Sequence, residues 1–265
     1  MSGRGTPFGR TWRAALALGA VVGLATLGSS SSPAAPGPPQ LAERIASTHA
    51  GLLEAIETWH AEAGDPPNGQ APAEVIEPAL ALQEQVRRLA RNAALAKSTI
   101  RLLPGESRRE LSDLTAAARK LGRLAGGGKP RKVRVGKPEP LATLDAHYRE
   151  AERRYGVGRH YLTAINLVET KFGRVKSKSV AGARGPMQFI PSTWKIYGRG
   201  GDIDDPHDAI LAAANLLRDN GAPGDYGRAL YAYNPSRLYV AAVRRYAGLI
   251  AREPTTIHYL YAWGP

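Results

Sequence analysis

Cysteine is absent from the 265 residues. That excludes disulfides, thiol nucleophiles, thiolate metal sites and a lipid-bearing cysteine, and leaves oxygen, nitrogen or bound-ion chemistry. Acidic residues are scarce: 23 Asp and Glu stand against 36 Lys and Arg, a formal charge of +13. So basic a chain is attracted to polyanions, whether nucleic acid or cell-envelope polymers. Long apolar runs are also missing. The uncharged stretch Ala14 to Gly28 has fifteen residues, too few for a comfortable membrane span. With 43% hydrophobic residues, the chain still has ample material for a buried core, and neither a fibrous nor a wholly disordered reading fits.

The charge is unevenly placed. Residues 1–40 are basic through Arg4, Arg10 and Arg13. That basic stretch, the apolar run behind it and the Ser- and Pro-rich segment to Gln40 form the pattern of a secretory signal followed by a spacer. Its only membrane role would be as an anchor if it stays uncleaved. Residues 41–125 carry equal numbers of acids and bases. There Leu41, Ile45, His49, Leu52, Leu53, Ile56 and Trp59 recur at helical spacing, and similar patterns run from Ala73 to Ser98 and from Glu106 to Leu124. This region is expected to be a helical hairpin or small bundle that serves packing or partner presentation. Residues 126–140, GGGKPRKVRVGKPEP, are rich in Gly, Pro and bases. They read as a linker, either simply solvated or a surface for anionic wall polymers.

Residues 141–265 hold the chemistry. Tyr148–Tyr155 and Tyr161–Phe172 predict two helices around the turn Gly156-Val157-Gly158. Glu169 sits between Val168 and Phe172, just before the stop signal Gly173. A carboxyl on so apolar a helix is partly desolvated, which favours the protonated form that a general acid needs near neutral pH. The alternative is a helix-end Glu paired with Lys171 or Arg174. Next comes a small-residue loop through Gly182 and Gly185 into Met187, Gln188 and Phe189, at the start of another helix at Pro191. Glycines there allow close backbone approach, and Gln188 offers both a donor and an acceptor.

Three blocks, VETKFG around Glu169, AGARGPMQFIPSTW and Ala232-Tyr233-Asn234, resemble the lytic murein transglycosylases in order and content, most of all the membrane-bound lytic transglycosylase B branch. The resemblance spans residues 143–263. It implies a mainly α, lysozyme-like domain over residues 141–265 that cleaves the bond between N-acetylmuramic acid and N-acetylglucosamine in peptidoglycan. Glu169 would be the single catalytic acid and base, and the product would end in 1,6-anhydromuramic acid. Gly185, Met187, Gln188, Phe189, Tyr233 and Asn234 would bind the glycan, with no cofactor and no metal. Without the resemblance, Tyr233 reads equally as core and Asn234 as a helix stop.

Glycosidases that use water need two flanking carboxyl groups. The other acids of this half lie in polar or turn-like contexts, and none is an obvious second one. The cluster Asp202 to Asp208 fails the frame of a calcium loop. It reads instead as capping, with Asp205 as N-cap, Pro206 next and Asp208 in the first turn, and His207 as a surface residue. Tyr259, Tyr261 and Trp263 would close the domain rather than serve as a sugar platform. The expectation is an exported or cell-envelope enzyme acting on glycan strands. A muramidase on the same fold and a non-catalytic wall-binding module are the alternatives. Nucleic acid is set aside, because export and the glycan motifs do not suit it.

Overall fold

The computed structural model describes residues 36–64, 71–126 and 132–264. Of the signal and spacer read over residues 1–40, residues 1–35 lie outside the described residues, as does the centre of the glycine-rich linker, and the spacer's last three residues, Pro38 to Gln40, instead begin the first helix. Among those described the fold is all-α with no strand, only two isolated bridges, Val135 with Val175 and Arg184 with Phe189. No described helix is long and apolar enough to cross a membrane.

The first helix, α1 (Pro38–Ala63), buries Leu41, Ile45, His49, Leu52, Ile56 and Trp59 of the stripe its spacing predicts, while Leu53 is only half-buried. The pattern from Ala73 to Ser98, by contrast, is not one helix. It divides at Asn92 into α2 (Ala73–Arg91) and α3 (Ala93–Ile100). Asn92 is extended, and its side chain accepts from the Leu95 N–H at 3.0 Å. A short polar side chain that satisfies a free helix-start donor makes a cap worth about 1 kcal/mol, enough to restart the helix in a new direction. The next helix, α4 (Gly105–Ala125), turns Leu111, Leu114, Ala117 and Leu121 inward.

Seven helices follow: α5 (Leu141–Tyr155), α6 (Arg159–Thr170), α7 (Pro191–Tyr197), α8 (Pro206–Asp219), α9 (Tyr226–Tyr233), α10 (Arg237–Arg252) and α11 (Thr256–Ala262). Every residue of α6 from Leu162 to Thr170 is buried. A helix apolar all round belongs at the centre, and α6 packs against α10, α5 and α8. Asp205, Asp225 and Ser236 cap α8, α9 and α10 by accepting from Asp208, Arg228 and Tyr239 N–H groups. For α8 this is the capping arrangement expected from the sequence.

The four N-terminal helices do not stand apart from this half. The long faces of α4 and α10 meet, and α2 lies on α11, within one continuous core. Glu110 of α4 accepts from the Tyr259 hydroxyl, and His49 Nε2 lies 3.1 Å from the same carboxyl, close but off the hydrogen-bond axis. At the rim Asp113 accepts from Arg245 at 2.5 Å and from Arg252 at 2.7 Å. Tyr259, Tyr261 and Trp263 are buried at 0%, 2% and 2% exposure, which suits closure and leaves no ring face for a sugar. The linker is not wholly solvated either. Its stretch 132–140 lies extended beside residues 174–177, through Gly136 N–H to Arg174 O and Lys176 N–H to Arg134 O, both 2.9 Å.

Replacing Glu110 by alanine leaves the enclosed Tyr259 hydroxyl without an acceptor. The expected loss is about 3 kcal/mol of unfolding free energy, read by urea denaturation with tryptophan fluorescence and far-UV dichroism changing together. A change below about 0.5 kcal/mol would mean that the α1–α4–α11 junction contributes little.

Candidate active site

The helix carrying Glu169 ends sooner than its glycine suggests. Lys171 and Phe172 already have positive φ, 53° and 60°, ahead of Gly173. Left-handed backbone costs a non-glycine residue about 1 kcal/mol or more. Here it is held by Lys171 N–H to Leu167 O at 3.1 Å, Phe172 N–H to Asn166 O at 3.2 Å, and burial of the Phe172 ring. Such strain persists only where the surroundings over-determine it.

Those surroundings include a clamp. Asn166 Nδ2 and Thr170 Oγ1, one helical turn apart on α6, both donate to the carbonyl of Pro186, at 2.9 and 2.6 Å. Tyr148 of α5 donates to Asn166 Oδ1 at 2.7 Å and so orients the amide, while Thr170 Oγ1 accepts from Gly173 N–H at 2.9 Å. The loop around Pro186 is thereby tied to the helix turn that bears Glu169. At its other side Gly185 has φ 76°, and a Cβ there would fall 1.8 Å from the Ile203 carbonyl oxygen. Only glycine fits this position. Gln188 also takes a positive φ, 50°, with both its N–H and its Nε2 donating to Gly185 O at 3.1 Å.

Glu169 is 9% exposed, and loss of hydration pushes its carboxyl up from 4.5 to about 7. The opposing influence is Tyr239 of α10, whose hydroxyl faces the carboxyl without closing a fully aligned bond. Among the described residues no cation lies within ion-pair distance of Glu169, so pairing with Lys171 or Arg174 is not what the structure has. Lys171 packs over Trp263 and Arg174 over Tyr261. Burial holds Tyr239 and Tyr233 well above 10, helped by the nearby Glu169 charge, so both remain neutral donors.

The residues predicted to bind glycan divide into two groups. Tyr233 and Gln188 are partly exposed, and Asn234, at the end of α9, is 5% exposed with no hydrogen bond to its side chain among the described residues. Of these three, Tyr233 is near enough to Glu169 for the carboxyl charge to act on it. Met187 and Phe189, at 0% and 3% exposure, do not present side chains to a ligand. Met187 instead offers its carbonyl to the Tyr233 hydroxyl at 2.6 Å, and the Phe189 ring fills the space between Trp194 and Tyr233. Their apolar side chains gain more from the core than from water. Gly185 likewise acts by leaving room for the Ile203 carbonyl. Four residues escaped the sequence reading: Tyr239, seen there only as part of a packing stripe, and the clamp of Tyr148, Asn166 and Thr170. Asn166, one of the few polar side chains on the buried part of α6, and Thr170, within the block VETKFG, were the visible signals.

The other carboxylates of this half are engaged elsewhere or stand apart. Asp145 pairs with Arg149, Glu150 with His207, and Asp204 with Arg184. None contributes to the shift of Glu169. Asp205, His207 and Asp208 have ligand atoms within 4.8 Å of one another. Both carboxylates already accept backbone N–H groups at the α8 cap, and His207 faces Glu150 and Asp208 at 3.0 and 3.4 Å.

The fold is thus an all-α domain in which a central buried helix ends in a carboxyl held protonated to about pH 7 beside a clamped loop. Residues 147–251 match the family model of the Transglycosylase SLT domain, from α5 through nearly all of α10. That stretch is similar to the lysozyme-like SLT domain, a family whose members are lytic transglycosylases acting on peptidoglycan. No curated protein and no solved structure matches the chain.

The raised Glu169 makes stability pH-dependent. Between pH 4.5 and about 7 the folded state keeps a proton that the unfolded state has released, so stability falls as pH rises, and the whole cost is present above the folded value. At 1.36 kcal/mol per unit the cost is about 3 kcal/mol. Glu169→Gln removes it. The variant should be the more stable by about 2–3 kcal/mol at pH 8, converging with wild type near pH 4.5, as measured by urea denaturation across pH. A variant less stable at pH 8 would show the carboxyl to be well solvated.

Proposed function

We propose that the chain is an exported lytic transglycosylase of the cell envelope that cleaves the β-1,4 bond between N-acetylmuramic acid and N-acetylglucosamine, with Glu169 as the only acid and base. The observation that carries this reading is a buried carboxyl that stays protonated up to about pH 7 with no second carboxylate acting on it. Protonated Glu169 gives its proton to the glycosidic oxygen as the bond from the anomeric carbon breaks. The resulting carboxylate takes the proton of the muramic C6 hydroxyl, whose oxygen bonds to the same anomeric carbon. A 1,6-anhydro end forms, Glu169 is protonated again, and no water is consumed. The nucleophile belongs to the substrate and is already held beside the reacting carbon, so a second carboxyl is dispensable.

Tyr239 faces Glu169 and would steady the carboxylate formed midway, since a donor to the charged form favours it. Gln188, Tyr233 and Asn234 would hold the N-acetyl and hydroxyl groups of the sugars, positioned by the Pro186 clamp. The resemblance to the transglycosylase B branch and the signal-like first residues support the finer assignment and the extracytoplasmic location.

The test is mass spectrometry of fragments released from purified peptidoglycan, with Glu169→Gln alongside. Anhydromuramic ends from wild type and a loss of at least about 1,000-fold in the variant are expected, since the one residue serves as both acid and base. Reducing ends would make the protein a muramidase, and wall binding with no fragments a binding module.

The rate should fall above about pH 7 as Glu169 loses its proton. Tyr239→Phe removes the influence that lowers its pKa, so this basic limb moves to higher pH, by up to about one unit or ~1.4 kcal/mol. An unmoved limb in kcat/KM profiles would remove Tyr239 from the proposed machinery.

A further inference from the structure

The turn that ends α6 also gathers positive charge against α11 and the residues that follow it. Lys171 Nζ lies 5.9 Å from the Trp263 ring centroid, and the Arg174 guanidinium 4.6 Å from that of Tyr261. Arg174 Nη1 reaches back to the Lys171 carbonyl at 3.4 Å, which keeps the two side chains on one patch. Arg87 of α2 is close enough for its charge to act on Lys171. Among the described residues no carboxylate pairs with Lys171 or Arg174. Loss of hydration and these like charges together hold the Lys171 ammonium down at about 7, although part of its side chain still meets solvent. Desolvated like charges held close together are costly, and an anion arriving beside Lys171 and Arg174 relieves that cost.

The patch continues along the chain. The extended stretch that holds Lys132, Arg134 and Lys137 runs antiparallel to the one that holds Arg174, Lys176 and Lys178, joined through Val135 and Val175. Lys132, Arg134, Lys137, Lys176 and Lys178 are all exposed. The Arg134 backbone N–H donates to Ser177 Oγ at 2.7 Å, and its side-chain Nη2 to Lys176 O at 3.2 Å, so the two basic stretches are fastened together. Neither has an acid between residues 132 and 138 or between 174 and 178.

We propose that Lys171 and Arg174, backed by Trp263 and Tyr261, form an oxyanion-binding subsite, which the paired basic segments extend into a track for an anionic wall polymer. The aromatic rings hold the cationic groups at fixed positions while leaving them free to contact a phosphate or carboxylate. A series of exposed cations on two paired segments suits a polymer with repeating charges rather than a single small anion. The choice of a wall polymer rests on the function proposed above; the subsite itself does not. Its cations are held by Trp263 and Tyr261, whereas Tyr233 is tied to the Met187 carbonyl and Gln188 to the Gly185 carbonyl, so the two sets of residues share no contact among those described.

Binding is measured with the full chain carrying Glu169→Gln, so that no cleavage interferes and a failure of the catalytic proposal leaves this test intact. Inorganic phosphate should raise the melting temperature more than sodium chloride at equal ionic strength, and Lys171→Gln or Arg174→Gln should abolish the difference. Poly(glycerol phosphate) and polygalacturonate, titrated in parallel, distinguish phosphate from carboxylate as the preferred group. Each substitution should weaken the better polymer about tenfold. Should either variant fail to fold, Lys176→Gln with Lys178→Gln, both exposed, should weaken polymer binding in the same direction. Equal effects of phosphate and chloride, or polymer binding unchanged in every variant, would overturn the subsite. Tighter binding of duplex DNA than of either polymer would overturn the assignment to the wall.

Discussion

A carboxyl group that loses its water must find a cation, find hydrogen-bond donors or keep its proton. Glu169 has no cationic partner among the described residues and only the Tyr239 hydroxyl as a nearby donor, and so it keeps its proton to about pH 7. That condition needs α6 to be enclosed on all sides, which in turn needs α5, α8 and α10 around it. Most of the architecture of the C-terminal half can be understood as the walls that keep water from one side chain. The same enclosure makes the site a thermodynamic burden in its ionised form, as is common where acid–base chemistry is done.

Enclosure alone would not place a substrate. The Pro186 carbonyl links the two requirements, since Asn166 and Thr170 hold it from the helix that carries Glu169, and Tyr233 holds the next carbonyl from α9. Three elements distant in sequence thus meet on two consecutive peptide groups. The strained residues lie on either side of this junction, Lys171 and Phe172 at the helix end and Gln188 in the loop. Their cost is met by the hydrogen bonds and buried rings around them.

The N-terminal helices enter this scheme from behind. They contribute no group to the site, yet α4 covers α10, the helix that supplies Tyr239, and α2 covers α11. Bracing α10 keeps the Tyr239 hydroxyl facing Glu169, so this region is connected to the chemistry through packing. The excess positive charge has a different fate. It is exposed on the segments flanking the site, where it bears on what the protein is attracted to and not on how a bond is broken.

The helical class, most helix limits, the caps of α8 and the candidacy of Glu169 were legible from the residues. Each rests on local causes: a period of apolar positions, a short polar side chain ahead of a helix, a carboxyl on an apolar turn. Resemblance to the lytic transglycosylases added the loop and the Tyr-Asn pair. Tertiary structure alone decided that Met187 and Phe189 turn into the core, that Asn92 divides a helix, and that the basic linker pairs with residues 174–177. It alone brought Tyr239, Tyr148 and the Asn166–Thr170 clamp to the site. These depend on which surfaces meet across tens of residues. Such meetings are settled by shape, burial and the need of every enclosed polar group for a partner, none of which has a period along the chain.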